Sequence, residues 1–119
     1  MADHSEQARA TLTELREEAA DRLETTSRML ATLLADRAGA NDDDEHDPDG
    51  ATLSAEWSRL TGLEDAARTK LKQVDDALTR LDAGTYGICI GCGKPIPAGR
   101  LEARPFAERC VPCTERLAR

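Results

Sequence analysis

Four cysteines, arranged as two close pairs, constrain the fold of this chain more than any other feature. Cys89 and Cys92 form the first pair, and Cys110 and Cys113 form the second after 17 intervening residues. This C-x2-C…C-x2-C spacing is typical of a structural zinc site, because two intervening residues let one tight turn direct two sulfurs at one ion. We predict one Zn²⁺ bound by all four cysteines. Four thiolate ligands leave no coordination position for water, so the metal is expected to be structural rather than catalytic.

Two other uses of these cysteines compete with zinc. Disulfide bonds are disfavoured in a reducing compartment, and a redox-active C-x-x-C is disfavoured because there are two such pairs and no βαβ pattern. Gly91 and Gly93 would permit left-handed turns that aim backbone N–H groups at the sulfurs. The hydrophobic residues expected to form a small core around the metal are Ile88, Ile90, Ile96, Leu101, Phe106, Val111 and Leu117.

The region before the cysteines carries two amphipathic helical patterns. Alanine and leucine dominate its hydrophobic residues, and aromatic residues make up only 3% of the chain, which favours helix over an extensive sheet. The first stripe has steps of three and four residues and comprises Leu12, Leu15, Ala19, Leu23, Thr26, Leu30 and Leu33 or Leu34. The second stripe comprises Leu53, Trp57, Leu60, Leu63, Ala67, Leu71, Val74, Leu78 and Leu81. Each stripe predicts a helix of about 30 residues, and Gly84 is a plausible stop after the second.

A polar segment of turn-forming residues connects the two predicted helices. Residues 39–50 hold six acidic residues, and Pro48 disfavours helix at the residue before it. A short connection makes the helices antiparallel neighbours, and pairing them about a centre near residue 45 places Leu30 beside Leu60 and Leu12 beside Leu78. A single heptad stripe could equally mean a homodimer. Two stripes matched in length and register favour an intramolecular hairpin, and hence a monomer.

Composition divides the chain at residue 84. Residues 1–83 hold 20 acidic and 10 basic side chains, whereas residues 84–119 hold 3 acidic and 6 basic ones together with all four cysteines. We therefore predict a mostly α-helical protein, with a long antiparallel two-helix coiled-coil hairpin over 1–83. A small four-cysteine (C4-type) zinc-finger module with a short C-terminal helix follows over 84–119. A two-helix hairpin buries little area by itself, so the zinc module is expected to staple its open end.

Charge and hydropathy patterns exclude several functions. The formal net charge of −7 argues against a protein that coats nucleic acid and against direct sequence-specific DNA binding. No apolar run approaches the roughly 20 residues that span a bilayer, and the N-terminal residues are polar, so we expect a cytoplasmic protein without membrane association. Without an open metal position, a histidine near the cysteines or a glycine-rich phosphate loop, we expect no enzymatic activity.

A longer stretch around the cysteines resembles a known family. The segments L-D-A-G-T-Y-G-I-C at 81–89, C-G-K-P-I-P at 92–97 and R-L-E-A-R-P at 100–105 are similar to the zinc module of the DksA/TraR family, without gaps across residues 81–117. Members of that family are bacterial proteins that bind RNA polymerase rather than DNA. The resemblance implies that this chain, as a short member, inserts its hairpin into the secondary channel. An acidic tip would then approach the catalytic Mg²⁺ and modulate transcription initiation.

The tip motif of the family, D-x-x-D-x-A, can be placed by counting back from Cys89 without gaps. It falls on residues 46–51, within an expected tip over 40–51. Asp49 and Ala51 match the second Asp and the Ala, whereas His46 replaces the first Asp and Asp47 lies beside it. The resemblance implies partner contacts at these four positions. The replacement by His46 is a departure that bears on the strength or sign of regulation.

The resemblance also locates the positions that hold the alarmone ppGpp against polymerase in DksA. They fall on Ala66, Thr69, Lys70, Gln73, Arg104 and Thr114. Among the basic positions of that set, only Arg104 is still basic, so we expect ppGpp dependence to be weak or absent. Arg100 and Arg104 are candidates for a basic face that meets polymerase or alarmone. Alternatively, these arginines offset the negative charge of the metal site and of neighbouring acids.

Two other classes of function remain as alternatives to a polymerase regulator. A zinc-stapled helical adapter would use the hairpin face to bind another protein partner. A zinc finger that binds nucleic acid directly is disfavoured by the net charge and by a module with at most one exposed aromatic residue for base stacking.

Overall fold

The structure is a computed structural model that describes residues 2–40 and 49–118, with side chains described over 5–38 and 52–118. It contains two long helices, α1 (Ala2–Ala40) and α2 (Asp49–Ala83), and two short ones, α3 (Ala98–Ala103) and α4 (Val111–Leu117). The described segment between α2 and α4 carries a single isolated β-bridge. The predicted fold class, two long helices followed by a four-cysteine module with a short C-terminal helix, is confirmed.

Both long helices extend further than their apolar stripes predict. α1 has 39 residues and α2 has 35, because polar and alanine-rich turns continue each helix beyond its last apolar contact. α2 ends at Ala83, and Gly84 follows with φ +79°, a left-handed conformation that glycine adopts without a steric penalty. The expected tip over 40–51 is partly helical, since Ala40 closes α1 and Asp49 opens α2.

The chain forms two compact units. One comprises Met1–Glu17 and Leu71–Arg119, and the other comprises Glu18–Lys70. The first contains the start of α1, the last turns of α2 and the cysteine module, whereas the second contains the remaining length of both long helices. The division at residues 83 and 84 that composition suggests stays a prediction.

The unit of residues 18–70 is built on a seam of small and apolar side chains. Its buried residues are Ala19, Thr26, Leu30, Leu60 and Ala67. These lie on the two predicted stripes, so the heptad spacing identified the contact face correctly. The described helices of the protein include none that is long and apolar enough to cross a membrane.

Leu63 is an exception to the predicted seam. Its side chain is 47% exposed, and Glu64 takes the inward position instead. The hydroxyl of Ser27 donates to Glu64 Oε2 across the helix pair at 2.7 Å, so a polar pair occupies this level of the seam. Trp57, which lies on the second predicted stripe, is also 37% exposed. The difference is local, because Leu60 and Ala67 on either side remain buried on the predicted stripe and the inward position between them is 64 rather than 63.

The unit that contains the cysteines has a second apolar cluster. Leu12, Val74 and Ala77 are fully buried, and Tyr86 and Phe106 pack against them. Tyr86 follows α2, and Phe106 belongs to the segment between the two cysteine pairs. The cluster thus joins the two long helices to the cysteine module within one unit.

The antiparallel register agrees with the prediction. Polar contacts between described side chains of α1 and α2 include three pairs whose two residue numbers average 45.5, against a predicted centre near 45. The pairs are Arg9–Asp82 at 2.5 Å, Arg16–Asp75 at 2.6 Å and Ser27–Glu64 at 2.7 Å.

Candidate metal centre

The first cysteine pair lies on a tight backbone turn. Cys89 N–H donates to the carbonyl of Lys94 at 2.8 Å, and Gly93 N–H donates back to the carbonyl of Cys89 at 2.9 Å. Gly93 has φ +77°, so a residue with a side chain would be strained there. The turn places Cys89 and Cys92 on one short loop, and the Cys89 side chain is buried.

The second cysteine pair spans the start of α4. Cys110 precedes the first residue of the helix, and Pro112 occupies a position in the first turn where a missing N–H costs nothing. Thr114 N–H donates to the Cys110 carbonyl at 3.0 Å, and Cys113 lies in the first turn with its side chain buried. The helix therefore fixes the spacing of the two sulfurs.

Backbone hydrogen bonds connect the two pairs. Cys110 N–H donates to Cys89 Sγ at 3.3 Å, and Ile90 N–H donates to the carbonyl of Glu108 at 2.9 Å. Gly91 N–H donates to the same Cys89 sulfur at 3.3 Å. N–H groups directed at sulfur are expected where that sulfur carries the charge of a thiolate.

The four sulfurs lie close enough together to bind one ion. All four Sγ atoms lie within 4.8 Å of one another, and Cys92 Sγ lies 3.9 Å from Cys110 Sγ. Tetrahedral zinc with Zn–S bonds of about 2.3 Å places its sulfurs about 3.8 Å apart. A disulfide would need about 2.05 Å, and all four cysteines are free. The set therefore fits a single Zn²⁺ with four thiolate ligands, as predicted.

The thiols of the cluster differ in acidity when no metal is bound. Donation from the Cys110 N–H lowers the pKa of the Cys89 thiol to about 6, against the opposing effect of burial. Hydrogen bonds within the cluster, first of all with the Cys110 side chain, raise the pKa of Cys113 to about 12. Cys89 is therefore prepared to bind a cation as a thiolate, whereas Cys113 has to lose a proton first.

Gly91 has a different role from the one that its sequence position suggests. It is not among the glycines with positive φ. A Cβ at this position would lie 3.1 Å from Cys113 Sγ and 3.2 Å from Cys113 Cβ. Glycine at this position makes room for the close approach of the second pair to the first turn, and the turn there is not left-handed.

The prediction of a small hydrophobic core around the metal is largely wrong. Ile96 is buried with Cys89 and Cys113, and Leu101 packs against them, but Phe106 belongs to the cluster with Leu12. The four remaining residues, Ile88, Ile90, Val111 and Leu117, are exposed. A turn that directs its sulfurs inward directs the residues between them outward, so the metal site replaces much of the core.

Two contacts tie the segment between the cysteine pairs to the end of α2. Tyr86 Oη donates to the carbonyl of Pro105 at 2.8 Å, and Arg80 Nη2 donates to the carbonyl of Phe106 at 3.5 Å. Arg80 also lies 3.8 Å from the Glu108 carboxylate. Nothing in the sequence pattern singled out Arg80, because its partners lie 26 and 28 residues further along the chain.

Arg100 and Arg104 share one cleft with two of the positions that the family resemblance highlighted. The cleft is lined by Gln73 and Thr114 as well as by both arginines. Arg104 places its guanidinium 5.3 Å from the centre of the Phe106 ring. Of the predicted tip residues, His46 and Asp47 lie outside the described residues, and only the backbone of Asp49 and Ala51 is described.

The cysteine module is similar to a known family of zinc fingers. Residues 84–117 match the family model described as the prokaryotic dksA/traR C4-type zinc finger. This segment of the chain is therefore similar to the DksA/TraR zinc finger. Its four ligands are the cysteines of the cluster described above, so one structural zinc follows from both the motif and the geometry.

Relatives of the DksA/TraR zinc finger support the assignment. The RNA polymerase-binding transcription factor DksA of Haemophilus influenzae is 38% identical over 65 residues, which cover 55% of this chain and 45% of that protein. The protein of the same name from Caulobacter vibrioides is 41% identical over 68 residues, which cover 56% and 48%. The matches therefore span less than half the length of these curated relatives. Both relatives are named as transcription factors.

A solved structure extends the similarity beyond the zinc finger. The transcription factor DksA2 from Pseudomonas aeruginosa superposes with a TM-score of 0.75 at 28% identity, covering 96% of this chain and 82% of that one. The two long helices and the cysteine module therefore share the fold of DksA2.

Proposed function

We propose that this chain is a transcription regulator that binds bacterial RNA polymerase and inserts the acidic end of its helix pair into the secondary channel. The observation that carries this proposal is the combination of the DksA/TraR zinc finger with a fold similar to DksA2 over 96% of the chain. The relatives from Haemophilus and Caulobacter are named for polymerase binding, which supports the same partner here.

The proposed mechanism is electrostatic and acts at the tip. Carboxylates at Asp47 and Asp49 would approach the catalytic Mg²⁺ or basic polymerase loops, where exclusion of water strengthens charge interactions. His46 introduces an imidazole in place of the first carboxylate of the family motif, while Asp47 beside it is acidic. Zinc would take no direct part in the contact between the tip and polymerase, since its role is to stabilise the module that follows α2.

The proposal extends to ligands and partners in three respects. ppGpp dependence is weak or absent, because basic side chains are missing at Ala66 and Thr69. The chain acts as a monomer, because each stripe finds its partner within the chain. It does not bind DNA sequence-specifically by itself, which its net charge of −7 supports.

Binding and transcription assays test the proposal in two steps. The chain should be retained by immobilised core RNA polymerase and should change the yield of initiation in a purified transcription reaction. Asp49→Asn and Ala51→Thr should bind polymerase as wild type does but lose most of the effect on initiation. Asp65→Asn, an exposed carboxylate on the same helix away from the tip, is the matched control and should behave as wild type.

Each step can contradict a different part of the proposal. Absence of binding to core polymerase would refute the function itself. Binding with full regulation by both tip variants would refute the tip mechanism and leave the partner intact.

A second candidate function is a zinc-stapled adapter for another protein. The unit of residues 18–70 exposes the apolar side chains of Met29, Leu34 and Leu63, which such a partner would cover. Purification of the chain from a bacterial lysate with a different protein, and without polymerase subunits, would support the adapter.

A further inference from the structure

We propose that Arg100 is a positioning residue for the second pair of zinc ligands. It belongs to α3, but its guanidinium reaches across to the segment that carries Cys110 and Cys113. The Arg100 Nε–H donates to the carbonyl of Arg109, the residue directly before Cys110, at 2.8 Å. This is a charge-assisted hydrogen bond to backbone, which is stronger than a neutral one.

A second contact of Arg100 reaches the first turn of α4. Nη2 of Arg100 lies 3.3 Å from Thr114 Oγ1, and that hydroxyl donates to the carbonyl of Cys110 at 3.0 Å. One side chain thereby connects to the backbone on both sides of the Cys110 α-carbon. The Cys113 sulfur lies within the same helical turn.

Helix α3, which carries Arg100, packs against the first ligand pair. Leu101, next to Arg100, packs against the buried cluster of Cys89, Ile96 and Cys113. α3 is closed by the Arg104 N–H, which donates to the carbonyl of Arg100 at 2.7 Å. Arg100 therefore holds the second cysteine pair in a fixed position relative to α3 and to the first pair.

The geometry separates this role from a general effect of positive charge. Four thiolates around Zn²⁺ carry a net charge of −2, so any nearby cation could favour the loaded site. Arg100 differs because it presents two directed donors to two acceptors, the carbonyl of Arg109 and the hydroxyl of Thr114, which itself donates to the Cys110 carbonyl. A lysine would keep the charge but lose the planar fork that reaches both acceptors.

Zinc affinity, measured by competition with a chromophoric chelator, tests the role without any need for polymerase. Arg100→Ala should weaken Zn²⁺ binding about tenfold, the lower end of the range for groups that orient metal ligands. Arg100→Lys should fall close to Arg100→Ala. Arg116→Ala is the matched control: this exposed arginine of α4 makes no side-chain hydrogen bond among those described for the module, and we expect wild-type affinity.

A spectroscopic readout keeps the test decisive if the alanine variant is poorly folded. The Co²⁺-loaded Arg100→Lys and Thr114→Val proteins should show weakened or shifted tetrahedral d–d bands, while circular dichroism reports unchanged helix content. Wild-type affinity in Arg100→Lys combined with a loss in Arg100→Ala would show that charge alone matters and would overturn the proposal. Wild-type affinity in both would also overturn it.

Discussion

At the residue scale, the metal site depends on a few positions where the surrounding space decides whether a larger side chain is tolerated. Gly91 and Gly99 are both glycines of the cysteine module, but only Gly91 lies against a ligand. The space around Gly99 is open, with no atom within 4 Å of an added Cβ. The sequence alone cannot distinguish these two glycines, because the approach of Cys113 to Gly91 joins residues 22 positions apart.

Replacing Gly91 with alanine should therefore damage the site. The added methyl group would lie 3.1 Å from Cys113 Sγ, so the second ligand pair has to shift away from the first. We expect zinc affinity to fall about tenfold or more, as measured by chelator competition. Gly99→Ala, in helix α3, should keep wild-type affinity and gain about 0.5–1 kcal/mol in helix propensity. Equal affinities of the two variants would contradict this geometry.

The acidities of the cluster predict a pH dependence of zinc binding. Above pH 6 Cys89 is largely ionised in the metal-free protein, whereas Cys113, with its pKa raised to about 12, still carries its proton. Binding must release the Cys113 proton throughout the neutral range, and below pH 6 it must also release one from Cys89. Zinc affinity should consequently fall as the pH decreases, and more steeply below about pH 6. Chelator competition between about pH 5 and pH 8 measures this, and a flat profile would contradict it.

At the element scale, the two long helices follow from their sequence pattern with one instructive error. The spacing of apolar residues predicted both helices and a register centred within one residue of the observed one. It did not predict that Leu63 turns outward and that Glu64 faces Ser27. A stripe of steps three and four fixes which face is apolar, but the choice between adjacent positions 63 and 64 depends on the partner helix.

Paired alanine substitutions measure the difference between the seam and its edge. Leu60 is 2% exposed, so Leu60→Ala leaves a cavity and should lower the free energy of unfolding by about 2–4 kcal/mol. Leu63 is half exposed, and Leu63→Ala should cost less than about 1 kcal/mol. Urea denaturation followed by circular dichroism gives both values. A larger loss of unfolding free energy for Leu63→Ala than for Leu60→Ala would contradict the assignment of Leu60 to the seam and of Leu63 to its edge.

At the scale of the whole molecule, the fold class and the ligand set could be predicted because both depend on short-range spacing. The four cysteines are separated by fixed intervals, and the heptad stripes repeat over many turns. The module around the metal was harder to predict. Arg80, Arg100 and Phe106 act through contacts between segments, and apolar residues such as Ile90 are exposed because the four cysteine sulfurs converge at the centre of the module. A metal site removes the usual correspondence between hydrophobicity and burial in a small module.

The central claim is that one zinc ion, bound by Cys89, Cys92, Cys110 and Cys113, organises the module that follows the helix pair. Native mass spectrometry of the purified chain tests it most directly, since it reports metal stoichiometry and thiol oxidation together. We predict the mass of one chain with one zinc ion bound. A mass equal to the metal-free chain, or one lowered by the four hydrogen atoms that two disulfides would remove, would contradict the account.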